Sequence, residues 1–184
     1  MSQANAVTVR FYPPPEDLRG CFTTFYVTEL DPGEDGLLHD CLHPEWAGMR
    51  FFNPSGPSAW MDDGQRHDCL LFQAAGPTSH PIHFAMPKTR MWGFGFLPLG
   101  WARYVRLPAA AYADKLCDGH AEPLCAPFRP LAESLFGPEP DEAAELARII
   151  AFFRDFRAYP LPEEKRIVAI HAALVDPEVV TVAD

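Results

Sequence analysis

The feature that most constrains this chain is a change of texture at Pro98. Before it, short runs of β-type residues alternate with Pro and Gly turns; after it, helical spacing takes over. The predicted strands are Cys21 to Glu29, Met49 to Asn53, Cys69 to Ala75, Pro81 to Met86 and Arg90 to Leu97. Turns at Asp31-Pro32-Gly33, Asn53-Pro54-Ser55-Gly56 and Ala75-Gly76-Pro77 join them, which is the pattern of a small antiparallel barrel or sandwich. The predicted helices are Trp101 to Leu107, Ala109 to Leu116, Pro127 to Phe136, Glu142 to Ala158 and Glu163 to Val175. The fold class expected is therefore α+β, a β unit over 1–97 followed by a helical region over 98–160, with a further segment over 161–184.

Composition narrows the class. With 48% hydrophobic and 12% aromatic residues the 184-residue chain has the means to build a core, and no apolar run of about 18 residues is present to span a bilayer. The first residues, Met1-Ser2-Gln3-Ala4-Asn5-Ala6-Val7, lack the basic start and apolar stretch of a secretory signal, so a cytoplasmic location is expected. Five cysteines, widely spaced and without a C-x-x-C pair, read as reduced thiols. A formal net charge of −10 with scattered Lys and Arg argues against this segment gripping nucleic acid itself.

The sharpest local pattern is Trp92-Gly93-Phe94-Gly95-Phe96, where period-two alternation stacks three aromatics on one strand face and leaves glycines on the other. The aromatic face is either core or the wall of a pocket. Trp60, Phe72, Trp92, Phe94 and Phe96 are accordingly the candidates for binding a small, partly apolar effector. On the long helix, Leu146, Ile149, Ile150, Phe153 and Phe156 form a broad apolar stripe, with Glu142, Glu145, Arg148 and Asp155 mostly away from it. That stripe packs either on the β unit or on a second subunit, so these five are the dimerisation candidates.

Catalytic and metal motifs are not found. His80 and His83, three apart on a strand, face opposite ways, and His39 and His43 have helical spacing but no evident helix, with Pro44 directly after. Ser55 and Ser58 sit in a turn without a nucleophile-elbow setting, and Gly93-x-Gly95 lacks the third glycine of a phosphate loop. Neither a metal nor a cofactor is expected. The tail adds a different signal: Ile167 to Val175 has helical spacing, Asp176-Pro177 closes it, and Thr181-Val182-Ala183-Asp184 reads as a capping box. Helix, turn and helix start are the front half of a helix-turn-helix, whose DNA-contacting remainder would lie past residue 184.

The order Gly76-Pro77-Thr78, Gly93-x-Gly95-Phe96-x-Pro98-x-Gly100, then Leu107-Pro108-Ala109 with Tyr112-Ala113-Asp114, resembles the N-terminal regulatory domain of AraC-type transcription regulators. Pro44-Glu45-Trp46 and Arg50-Phe51 are similar to that group's early strands. The resemblance implies a cupin-like barrel over 1–97 that senses a signal, a helical dimerisation region over 98–160, and the start of a helix-turn-helix domain over 161–184. It implies a homodimer without enzymatic activity that meets DNA only through its C-terminal domain. The paired prolines of Tyr159-Pro160-Leu161-Pro162 stiffen the joint between the long helix and the next one, which is either a ligand-responsive linker or a passive spacer. Two other readings stay open: a cupin-type metal enzyme, needing several of His39, His43, His67, His80 and His83 to converge, and a purely structural dimer module with a filled barrel.

Overall fold

Strand β9 (Thr89–Phe96) sits inside a six-stranded sheet and gives the molecule its two sides. A computed structural model of the chain describes residues 7–33, 36–62, 64–156 and 161–178. Across the first sheet the order is β1 (Val7–Tyr12), β2 (Phe22–Leu30), β9, β4 (Gly48–Asn53), β7 (Phe72–Ala75) and β10 (Leu116–Asp118). A second sheet holds β3 (Leu38–Leu42), β8 (Ile82–Met86), β5 (Ser58–Trp60) and β6 (Arg66–His67), in that order. Pairing within both is antiparallel. Among the described residues no ladder joins the sheets, so they lie as an open sandwich sealed by shared apolar clusters: Leu30, Phe52 and Met91 with Met86, and Ala75 and Leu116 with Ala59 and Ile82.

Register explains why one sheet serves two layers. Phe25, Phe94, Met49 and Ala74 form one row across the first sheet, and Val27, Trp92, Phe51 and Phe72 form the next. Both rows face the helices, because side chains alternate strictly along a strand. Pro98 opens α1 (Pro98–Gly100), which runs into a π turn over Trp101–Val105; the turn closes where Arg106, at φ +62°, donates its N–H to the Trp101 carbonyl at 3.0 Å. Then come α2 (Arg129–Ser134), α3 (Glu142–Asp155) and α4 (Glu164–Val175).

Helix α3 begins where Asp141 accepts the Ala144 N–H at 3.0 Å, a capping bond that satisfies one orphan donor of the first turn. Its apolar stripe meets the helix-facing side of the first sheet. The Phe153 ring lies 4.5 Å from Phe22, 5.0 Å from Tyr104 and 5.1 Å from Phe94. A side chain buried this completely contributes about 1.5–3 kcal/mol through apolar burial. Helix α4, by contrast, buries none of its residues and keeps Ile170 and Leu174 exposed. It is attached by an Arg103 to Glu164 ion pair at 2.6 Å and by the edge of His171 against Trp46.

Several expected elements shift. Ala109 to Leu116, expected as a helix, holds only a single 3-10 turn at Ala109–Ala111 before β10 adds a strand to the first sheet. Gly119 then donates its N–H to the Phe72 carbonyl at 2.8 Å, which holds the chain on the sheet edge. Glu145, expected away from the apolar stripe, is 1% exposed and lies under the sheet. The Thr181 to Asp184 capping box, and Tyr159 and Pro160 of the expected joint, lie outside the described residues.

Candidate ligand-binding cavity

The other side of the first sheet carries the polar and open features. One register row crosses it as Phe11, Tyr26, Gly93, Arg50, Gln73 and Asp118. Gly93 makes the row possible: a Cβ there would lie 2.4 Å from Cζ and 2.5 Å from Oη of Tyr26, so the tyrosine ring crosses the strand at the place where no side chain stands. The ring thereby carries its hydroxyl to Arg50, whose Nε donates to Tyr26 Oη at 2.9 Å. Arg50 also donates through Nη2 to Glu45 in an ion pair.

Arg50 is 3% exposed, unusual for a charged side chain in a run of Met49, Phe51 and Phe52. Burial works against its charge, but the Tyr26 oxygen and the Glu45 carboxylate outweigh that and raise its pKa above the ordinary value. Burial pushes the Tyr26 hydroxyl up in turn, against the pull of Arg50. Two donors in the row stay without a partner: Arg50 Nη1 and Gln73 Nε2, both buried. Buried donors without acceptors are costly, about 1–3 kcal/mol each, and call for an explanation.

Between the sheets, along the edge strands β1 and β3, lies a cavity of about 610 Å³ bordered by Arg50 and Tyr26. Small-molecule sites typically measure about 300–1,000 Å³. The first sheet supplies Val9, Phe11, Thr28 and Met91 to its walls, and the second supplies Leu38, Asp40, Phe84 and Met86. Glu45 and Trp46 stand at the rim. Phe11 is 67% exposed on the edge strand, an apolar lip rather than a core residue. A second cavity, of about 530 Å³, lies beside β10 and is bordered by His67, Asp114, Lys115, Cys117 and Glu122, with the Cys117 thiol pushed up to about 11 by burial.

The five effector candidates are divided by this geometry. Phe72, Trp92, Phe94 and Phe96 lie in the helix-side core, and only Phe94 also borders the cavity. Trp60 alternates with the core residues Ala59 and Met61, so it points away from them; its ring stacks on His83 at 6.0 Å, with the Arg66 guanidinium 5.2 Å above it. The glycine face of β9, not its aromatic face, turns to the cavity. Of the dimerisation candidates, Ile149 and Phe153 are fully within the core, and Leu146, Ile150 and Phe156 pack against it. Histidines are dispersed: His39 is on β3 and His83 on β8, His80 pairs with Asp114, and among the described residues no three His, Cys, Asp or Glu side chains are grouped to hold a metal.

Tyr26, Glu45 and Arg50 do not stand out as a site in the sequence. The available signal is a lone arginine inside an apolar strand run, opposite a strand whose glycine makes room for a neighbour's ring. The chain matches no protein-family model and no curated protein. Among the described residues no helix is long and apolar enough to cross a membrane.

Proposed function

We propose that this chain is the effector-sensing domain of a transcription regulator of the AraC type, a non-enzymatic module whose two sheets correspond to a cupin-like barrel. The observation that carries this reading is the inter-sheet cavity, large enough for a small molecule, walled by apolar side chains and holding one buried guanidinium. The order of a β unit followed by helices supports it, as does the series of Gly and Pro motifs. The module acts in the cytoplasm as a homodimer, and DNA contact belongs to a separate helix-turn-helix domain, in keeping with the charge of −10 found here. Because the inward stripe of α3 is filled by the chain's own sheet, a partner subunit meets other surfaces of the helical layer.

Strand β9 supplies a route for the signal. Gly93 and Gly95 border the Tyr26 side, while Trp92 and Phe94 touch α3 through Glu145 and Phe153. An effector shifts the equilibrium between two arrangements only by its differential affinity for them, typically about 1–3 kcal/mol. The test is a small-molecule screen read by thermal unfolding, repeated on Val9→Trp, which fills the cavity mouth. A ligand at about 100 times its Kd stabilises by about 2.7 kcal/mol, a rise of about 5–10 °C in a protein of this size. Stabilisation should be lost in Val9→Trp. Equal stabilisation of both proteins, or none across a broad library, would remove the sensing role.

A further inference from the structure

A buried arginine in a cavity ordinarily signals an anionic ligand. Here the guanidinium is already engaged, through Nη2 by the Glu45 carboxylate and through Nε by Tyr26 Oη. Asp40 adds a second carboxylate to the wall, so the described lining carries one positive group against two negative ones. A carboxylate or phosphate entering this space would be a third negative charge around a cation whose charge is already matched. Sites with that balance repel anions.

One group on the wall is left over. Arg50 Nη1 is a buried donor without a partner, on a residue that borders the cavity. What it lacks is an acceptor, not a charge. The rest of the wall is largely apolar, with Val9, Leu38, Phe84, Met86 and Met91 beside Thr23, Thr24 and Thr28, and the exposed Phe11 ring offers a face on which a flat ring can lie.

Resting on the sensing role proposed above, we infer that the inter-sheet cavity takes an uncharged, largely apolar molecule bearing an acceptor oxygen, of the class of an aromatic ketone, and discriminates against anions of the same shape. Glu45 is the residue that sets this selectivity. By matching the charge of Arg50 it leaves the guanidinium as a hydrogen-bond donor without making it an anion trap.

The inference is tested by calorimetry at neutral pH with three probes of one skeleton: 2-acetylnaphthalene (neutral, with an acceptor), 2-naphthoate (an anion) and 2-ethylnaphthalene (neutral, without an acceptor). The proteins are the wild-type chain, Glu45→Gln and Val9→Trp. The ketone should bind wild type about tenfold more tightly than the naphthoate and about threefold more tightly than the ethyl compound. Glu45→Gln should cut the ketone-to-naphthoate ratio about tenfold, and Val9→Trp should weaken the ketone about tenfold. Naphthoate binding as tight as the ketone, yet weakened by Val9→Trp, overturns the ligand class and leaves the cavity's sensing role standing. Ethylnaphthalene binding as tight as the ketone removes the acceptor requirement. Ketone binding that Val9→Trp does not change, or no binding by any probe at millimolar concentration, overturns this inference; the first of these results also counts against the cavity as the sensing site.

Discussion

Glu145 is the residue whose removal most directly tests how α3 is held to the first sheet. It is 1% exposed and accepts from Trp92 Nε1 at 2.6 Å, Arg90 Nη2 at 2.7 Å and Arg90 Nε at 3.0 Å. Truncation to Ala leaves a largely buried guanidinium and an indole N–H without this acceptor. Removing one partner of a buried ion pair typically costs about 3–5 kcal/mol. Arg90 retains Glu29 as a partner and Glu142 at 3.7 Å, which keeps its share at the low end. The stranded indole donor adds about 1 kcal/mol. A loss of about 4 kcal/mol follows for Glu145→Ala, which at about 2–4 °C per kcal/mol is a fall of about 8–16 °C in melting temperature. Glu145→Gln keeps an acceptor of the same shape and should lose about half as much. Urea unfolding followed by circular dichroism measures both variants. A double-mutant cycle with Trp92→Phe isolates the indole bond, whose coupling should be about 1.5–3 kcal/mol as for hydrogen bonds to charged groups. A Glu145→Ala loss below about 1 kcal/mol, or a coupling near zero, would refute the claim that this carboxylate anchors the helix.

Phe153→Ala should cost about 3–5 kcal/mol and leave the concentration dependence of the melting temperature as it is in the wild type, because the ring fills the chain's own core; a concentration-dependent midpoint in the wild type that is lost in the variant would instead place Phe153 at a subunit interface. Gly93→Ala should displace the Tyr26 ring from Arg50, weakening 2-acetylnaphthalene binding about tenfold in calorimetry while costing no more than about 3 kcal/mol of stability. Alkaline pH should destabilise the fold through Cys125, whose thiol is pushed by burial to about 12 from an ordinary value of 9.0. Its folded pKa is raised, so the contribution is intact below about pH 9 and is lost as pH rises toward about 12, at up to about 1.4 kcal/mol per pH unit. Urea midpoints at about pH 8 and about pH 10 should show the loss, and Cys125→Ala should lessen it, leaving the share of Cys117, whose thiol is likewise raised by burial. Exposed Cys69 should react with an aromatic disulfide reagent at once, whereas buried Cys21 and Cys125 should react only on unfolding.

The parts of the fold legible in the sequence are those with a sustained period. The Trp92, Phe94 and Phe96 alternation and the α3 stripe both mark residues that meet in one core, and the change at Pro98 marks the end of β9 within two residues. Short strands carry too few residues to show a period: β5, β6 and β10 have three, two and three. β1 is a different case. Val7, Val9 and Phe11 alternate with Thr8, Arg10 and Tyr12, yet the run is not among the predicted strands. Glu145 went to the wrong side because helical spacing shows where a carboxylate lies and not what awaits it; the indole of Trp92 and the guanidinium of Arg90 come from a strand, 53 and 55 residues earlier. The cavity was hidden for a similar reason, since it depends on the register that sets Tyr26 beside Gly93 and Arg50 beside both.

That register also decides which face of β9 can respond to a ligand. A molecule pressing on the Tyr26 ring bears on Gly93, where no side chain absorbs the displacement, so the force passes to the backbone of β9. Trp92 and Phe94, on either side of Gly93, hold Glu145 and Phe153 of α3. A close-packed core transmits such a shift instead of damping it. Loosening the core side with Phe153→Leu, which touches Phe94 but not the cavity, should therefore uncouple cavity occupancy from α3 without emptying the cavity. Ketone binding would persist, while its protection of α3 amides from hydrogen exchange would fall to the level of global stabilisation. If protection of α3 remained selectively raised in Phe153→Leu, the signal would have to leave the cavity by another strand.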